Sequence, residues 1–350
     1  MDNELIEKAA AEFSGPGDYA ITPLGNGLIH QTFRVSDKNK SFVLQAINTA
    51  VFKKPQDILH NYLKVYHYLQ HQNISIPEPL FAKNGQSLWI DGQNNYWRAT
   101  AFINDSFSPS IASTPDDAYT VAKSFASFTR SLSGMDMREL KEIIPKFHDL
   151  AFRYAQFEKA IQDAPSVRLL KSTHVISELR NRKKWADWYE SIRSHAAYPE
   201  RVMHHDCKIS NILFNQKSHQ VICPVDLDTL MPGKFISDLG DMIRSMSCTV
   251  DENSTRWEEI NINPYYYESV LNGYLEGIGD IFTKEERKNI HCPGLIMIYM
   301  QSIRFLTDFL NGDVYYKTNY PEQNLNRALN QLILLEKLED HIRDKYSFSL

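Results

Sequence analysis

The sequence predicts an α+β protein in two parts, a small β-rich N-terminal lobe over residues 1–103 and a larger, mainly helical lobe over residues 104–350. Three observations carry this. Strand-like runs crowd the first hundred residues around one long helical pattern. A Ser/Pro-rich connection over 105–115 then changes the texture. Helical periodicity dominates the rest, interrupted by one island of short strands. With 350 residues, 43% of them hydrophobic and 23% charged, the chain can build a sizeable core, which excludes a disordered chain, a collagen-like repeat and a disulfide mini-protein.

Residues 3–13 place Leu5, Ala9 and Phe13 on one helical face. Ile29 to Val35 and Phe42 to Ile47 are rich in β-branched and apolar residues and flank a turn of Ser36 to Asn39. Over 56–71, Ile58, Leu59, Tyr62, Val65, Tyr66 and Leu69 recur at three and four; Pro55 suits the first helical turn, and Pro77 and Pro79 stop the pattern. Leu88 to Ile90 and Tyr96 to Ile103 read as strands around Asp91 to Asn94. Helical patterns follow at 115–133, 148–162, 171–195, 264–277, 283–312 and 322–345, the last with Leu325, Leu329, Leu332, Leu335 and Leu338 on a wide apolar face. The strand island is Ile212 to Phe214 and Val221 to Val225. No internal repeat or low-complexity segment is visible, and a cleft is expected between the lobes.

Lys and Arg number 38 against 43 Asp and Glu, a net charge of −5, so the global basic field of a nucleic-acid binder is missing. The most apolar stretch, Leu295 to Met300, is too short to span a bilayer, and the first residues lack a basic region and apolar run of a signal peptide. Cys207, Cys223, Cys248 and Cys292 are widely spaced, with no Cys-x-x-Cys pair to signal zinc or redox chemistry. The expectation is a cytoplasmic protein with free thiols, no membrane and no nucleic-acid partner. The oligomeric state is not readable.

Chemistry concentrates in the island. An apolar approach leads into His204-His205-Asp206; Asn211 stands five residues beyond Asp206, and Asp226 ends the next apolar strand about fifteen residues later. Transfer of a γ-phosphoryl group needs an acceptor hydroxyl held in line and a divalent ion to neutralise phosphate charge. Asp206 would accept the hydroxyl proton, while Asn211 and Asp226 offer hard oxygen ligands for Mg²⁺. Lys208 would lean toward the transferred phosphate. Gly25 and Gly27, before the strand from Ile29, suit a hairpin whose backbone N–H groups approach nucleotide phosphates. Arg304 is a charged residue in an apolar helical run, either at the helix surface, paired with Asp308, or turned to a ligand.

These segments resemble the aminoglycoside phosphotransferase and choline kinase group, within the protein-kinase-like two-lobed fold. Asp226-Leu-Asp228 through Pro232-Gly233, Ser237-Asp238-Leu-Gly240-Asp241-Met-Ile-Arg244, Ile303-Arg304 through Lys317, and Phe42-Val-Leu-Gln45 through Phe52 resemble the N-acetylhexosamine 1-kinases. The resemblance implies an enzyme, a kinase using ATP and Mg²⁺ to phosphorylate the anomeric hydroxyl of a sugar. It implies Asp206 as base, Asn211 and Asp226 as metal ligands, and Asp238 as a buried brace of the catalytic loop. It also implies His30, Asp228, Arg244 and Arg304 around the acceptor, and Gln45 with the hinge residues Phe102 and Ile103 at the nucleotide. One departure stands out. Protein-kinase-like folds place Lys on the third strand, paired with Glu on the next helix; here Gln45 stands at that point and Asp57 is the only acid of the helix. Either another cation substitutes, or the protein is a weak or inactive kinase; the resembling sugar-kinase segment also carries Gln at this point, which favours an active enzyme. Two other readings stay open: a kinase of an aminoglycoside, choline or amino alcohol, and an inactive pseudokinase acting as a binding module.

Overall fold

A computed structural model describes residues 3–25, 29–37, 40–72 and 74–348. The chain divides into two units. The first takes the residues up to Ser108 together with Gly134–Pro145 and Asn211–Pro232; the second takes Pro109–Ser133, Lys146–Ser210 and the residues from Gly233 onward.

In the first unit an antiparallel sheet is built from β1 (Ala20–Pro23), β2 (Gln31–Ser36), β3 (Ser41–Ile47), β4 (Pro79–Leu80), β5 (Trp89–Ile90) and β6 (Tyr96–Ala101), in the order β1-β2-β3-β6-β4 with β5 also on β6. Period-two alternation sorts β3: Phe42, Leu44 and Ala46 are buried, and Gln45 takes the other face. Helix α1 (Asn3–Ser14) lays Ile6, Ala9, Ala10 and Phe13 against that core beside Val35, Trp97 and Ala99. Helix α2 (Pro55–Leu69) starts on Pro55, whose missing N–H costs nothing in the first turn, and buries Ile58, Leu59, Tyr62, Val65 and Leu69. The register sets Thr32 opposite Gln45 and Gln45 opposite Arg98, one polar row across three strands. A second small sheet joins β7 (Ser106–Phe107), β9 (Ile212–Asn215) and β10 (Val221–Pro224) in the order β10-β9-β7; the remaining strands are β8 (Arg201–Met203) and β11 (Met231–Gly233).

The second unit is helical: α3 (Pro115–Ser131), α4 (Leu150–Asp163), α5 (Ser166–Asn181), α6 (Lys184–Ile192), α7 (Ile236–Met246), α8 (Pro264–Ile278), α9 (Lys284–Lys288), α10 (Cys292–Leu310) and α11 (Gln323–Tyr346). α10 is buried almost all round, because its apolar residues cover every face and α4, α7 and α11 pack against it. α3 starts in a capping box between Thr114 and Asp117.

Two long helical patterns are each broken. The 171–195 run is α5 and α6, separated at Arg182, whose guanidinium turns to the carboxylates of Glu178, Glu336 and Glu339. The 283–312 run is α9 and α10, separated before Pro293, which supplies no N–H to continue the ladder. Helix α7 lies outside the helical patterns of the sequence. All four cysteines are free thiols. Among the described residues no helix is long and apolar enough to cross a membrane.

Candidate active site

In the first unit Asn211 and Asp226 are drawn together by the backbone: the Val225 N–H donates to the Asn211 carbonyl at 2.9 Å. Asn211 is buried, Asp226 is exposed, and Asp226 sits in the left-handed region at φ 59°, ψ 53°. A non-glycine residue there is uncommon, though Asp tolerates it better than most. Among the described residues no group of three or more His, Cys, Asp and Glu side chains gathers to hold a metal unaided. An amide oxygen and a carboxylate fit Mg²⁺, which binds through one or two protein oxygens and takes the rest from phosphate and water.

Two residues beyond Asp226, Asp228 is buried in an ion cluster. Arg98 grips it with both terminal nitrogens, Nη1 to Oδ1 at 2.5 Å and Nη2 to Oδ2 at 2.7 Å. His30 Nδ1 accepts from the Asn48 N–H at 2.9 Å, so its Nε2 carries the proton it donates to Asp228 Oδ2 at 2.5 Å. Burial alone would raise the Asp228 pKa; the Arg98 charge and the His30 hydrogen bond hold it well below the usual carboxylate range. The Nε of Arg98 donates to Gln45 Oε1 at 2.9 Å, and Gln45 Nε2 donates to Thr32 Oγ1 at 3.0 Å. Arg98 thus stands directly across the register from Gln45, on β6, with its charge committed to Asp228. Arg98 also feels the field of Asp226, which helps raise its pKa against burial. Gly25 has φ +69°, a conformation that glycine adopts without strain, and no atom of the described residues lies within 4 Å of where its Cβ would stand; Gly27 lies outside the described residues. Phe102 lies under the Arg34 guanidinium at 4.1 Å, and the Ile103 carbonyl accepts from Ser106 Oγ at 2.6 Å.

In the second unit the carboxylate of Asp238, in the first turn of α7, accepts the N–H groups of His204 (2.9 Å) and His205 (2.8 Å). That brace fixes His205 at a positive φ of 66°, one residue before Asp206. Asp206 is partly exposed and pairs with Lys208 at 3.0 Å. Arg244 is committed to Asp241 at 3.0 Å and Glu252 at 2.8 Å. Burial pushes the Asp241 carboxyl up; Arg244 pulls it down and the charge of Asp206 pushes it further up. Arg304 makes no pair with Asp308: its Nη1 donates to Gln301 Oε1 at 3.1 Å, and it lies over the rings of Phe147 (5.2 Å) and Tyr316 (5.7 Å). Asp308 instead closes the turn after α10, accepting the N–H groups of Val314, Tyr315 and Tyr316 and the side-chain amide of Asn324.

A family model described as "Phosphotransferase enzyme family" matches residues 20–271, well over half of the chain and inclusive of every residue above up to Arg244. The chain belongs to this phosphotransferase family. Solved structures show the same fold. A microcompartment-associated aminopropanol kinase matches with a TM-score of 0.61 at 13% identity, over 98% of both chains. An amicoumacin kinase in complex with AMP-PNP, Ca²⁺ and Ami matches with 0.64 at 12%, over 96% of this chain and 94% of the other. The choline kinase LicA from Streptococcus pneumoniae matches with 0.58 at 12%, over 95% and 98%. The protein is thus an enzyme of kinase type with a protein-kinase-like α+β fold. Sequence reasoning did not single out Arg98 in this phosphotransferase. The available signal was a charged residue inside the otherwise uncharged strand Tyr96 to Ile103.

Proposed function

We propose that this phosphotransferase is a small-molecule kinase that uses ATP and Mg²⁺ to phosphorylate the anomeric hydroxyl of a hexose, foremost an N-acetylhexosamine. Asp206 accepts the hydroxyl proton as the phosphoryl group arrives, and Lys208 lends positive charge beside it. Asn211 and Asp226 are the protein ligands for Mg²⁺, which would neutralise phosphate charge when bound. Gly25, Gly27, Gln45, Phe102 and Ile103 are assigned to the nucleotide. His30 is bonded to Asp228, and Asp228 in turn to Arg98, and together they shape the segment that carries Asp226; Arg244 braces Asp241; Arg304 meets the acceptor.

The observation that carries the acceptor class is Arg304, whose polar partner is the neutral Gln301. An unpaired guanidinium with free donors suits sugar hydroxyls or an N-acetyl carbonyl and repels an ammonium group. The test is an ATP-consumption assay over N-acetylhexosamines, neutral hexoses, choline, 2-aminoethanol and an aminoglycoside. Turnover should favour the hexoses, require a divalent ion, and fall by ~10²–10⁴-fold in Asp206→Asn, the range of a lost general base. Turnover confined to the amines, or unchanged with chelator present, overturns this reading.

A further inference from the structure

A cavity of about 200 Å³ in the second unit is lined by Arg153, Gln156, Arg304, Thr307, Tyr315 and Tyr316. We propose that it is an oxyanion site in which Arg153 and Arg304 seat a sulfate, phosphate-monoester or carboxylate group carried by the acceptor. This rests on the proposed function for the identity of the acceptor, not for the existence of the site.

Neither arginine has a carboxylate partner within ion-pair distance among the described residues. Arg153 donates from Nε and Nη2 to the Phe147 carbonyl (3.2 and 3.0 Å) and from Nη1 to Gln156 Oε1 (2.9 Å), all neutral acceptors. Arg304 has Gln301 and two aromatic faces. The two cations feel each other: burial first, and then the charge of Arg304, bring the Arg153 pKa down to about 10. Asp308 lines the same cavity, but four N–H donors occupy its carboxylate. The Thr307 hydroxyl is buried there without a hydrogen-bond partner. Two guanidinium groups without a carboxylate partner and an orphan hydroxyl make the cavity positively charged and rich in donors, and planar guanidinium forks match oxyanions. The volume falls below the ~300–1,000 Å³ of sites that enclose a drug-sized ligand, so a charged substituent fits rather than a whole substrate.

The cavity is joined to the catalytic loop. Arg304 lies over Phe147, Phe147 stacks on His148 with ring centres 4.2 Å apart, and His148 and His205 both bond Ser237 Oγ (2.5 and 2.6 Å). His205 is the residue before Asp206. That continuity favours a group on the acceptor over a remote ion site.

Calorimetric titration of the protein with sodium sulfate, at ionic strength held constant with sodium chloride, tests the site directly. One saturable site is expected, at least tenfold weaker in Arg153→Gln and less affected in Arg153→Lys. In parallel, kcat/KM is compared for a sulfated hexose, a hexuronate and their neutral counterpart. The acidic sugars should be preferred, and Arg153→Gln should remove at least tenfold of that preference through KM; the sulfate and carboxylate arms identify which group is taken. The proposal falls if sulfate binds no better than chloride, if Arg153→Gln and Arg304→Gln both bind it like wild type, if ATP alone displaces it, or if acidic and neutral sugars are used equally. Should no acceptor be phosphorylated while Arg153-dependent sulfate binding persists, the proposed function fails and the site is upheld.

Discussion

Removing Arg98 would leave Asp228 as a buried charge answered by His30 alone. Breaking a buried pair in this way costs ~3–5 kcal/mol, because the orphaned partner keeps its desolvation penalty. Arg98→Met should therefore lower the unfolding free energy by about that amount, measured by urea denaturation. Arg98→Lys keeps the charge and loses the fork, so Gln45 and Asp228 can no longer be held at once. Its expected signature is a several-fold higher Mg²⁺ concentration for half-maximal turnover, since the ring of bonds around Asp228 sits two residues from Asp226. A second outcome follows from the protonation of Asp228. Its folded pKa lies below the unfolded value, so on acidification the unfolded chain takes up the proton first. The stabilisation is fully present above about pH 4 and is lost as the pH falls toward the folded pKa. The stability gap between wild type and Asp228→Asn should be widest at neutral pH and narrow below about pH 4; a gap constant with pH would show that the carboxylate charge is not what stabilises.

At the scale of elements, α3 and α8 meet at two glycines four residues apart. A Cβ on Gly273 would stand 2.2 Å from the Tyr119 carbonyl oxygen, and one on Gly277 2.4 Å from that of Lys123. Alanine would be the better helix former by about 1 kcal/mol, so a destabilised Gly273→Ala would show contact winning over propensity. We expect a net loss of ~1–3 kcal/mol in denaturation, the usual cost of overpacking, and Gly277→Ala should behave alike. The same contrast explains what was legible beforehand. α2 and α11 could be read because their apolar residues repeat locally, and Asp206, Asn211 and Asp226 because their spacing is short. The break between α9 and α10 carried a local sign, Pro293, that the unbroken periodicity masked. Arg98 carried none sufficient by itself: its meaning depends on the register opposite Gln45 and on a partner 130 residues away. The Arg153 cavity likewise arises from separate helices.

At the scale of the molecule, the chain passes between the two units after residues 108, 133, 145, 210 and 232. The first unit is thus assembled from three stretches of sequence, and Asn61 on α2 bonds both of the later two. Buried to 1% exposure, it donates from Nδ2 to the carbonyls of Lys141 and Leu230 (2.8 Å each) and accepts the Lys141 N–H at 2.8 Å. One side chain therefore ties α2 to both later segments, including the one that carries Asp226 and Asp228. Such connectivity resists piecemeal melting, because the later segments are flanked on both sides by residues of the second unit. With 5-fluorotryptophan incorporated, ¹⁹F NMR can follow Trp97 in the first unit and Trp185 in the second, both fully buried, through urea denaturation. Their midpoints should coincide, the mark of cooperative unfolding. Asn61→Ala removes three hydrogen bonds worth ~0.5–1.5 kcal/mol each and leaves their buried partners unsatisfied, so both midpoints should fall together by the equivalent of ~2–4 kcal/mol. Separation of the two curves in wild type would show that the units unfold independently. A shift of Trp97 alone in Asn61→Ala would show that the three segments are joined without coupling to the rest of the chain.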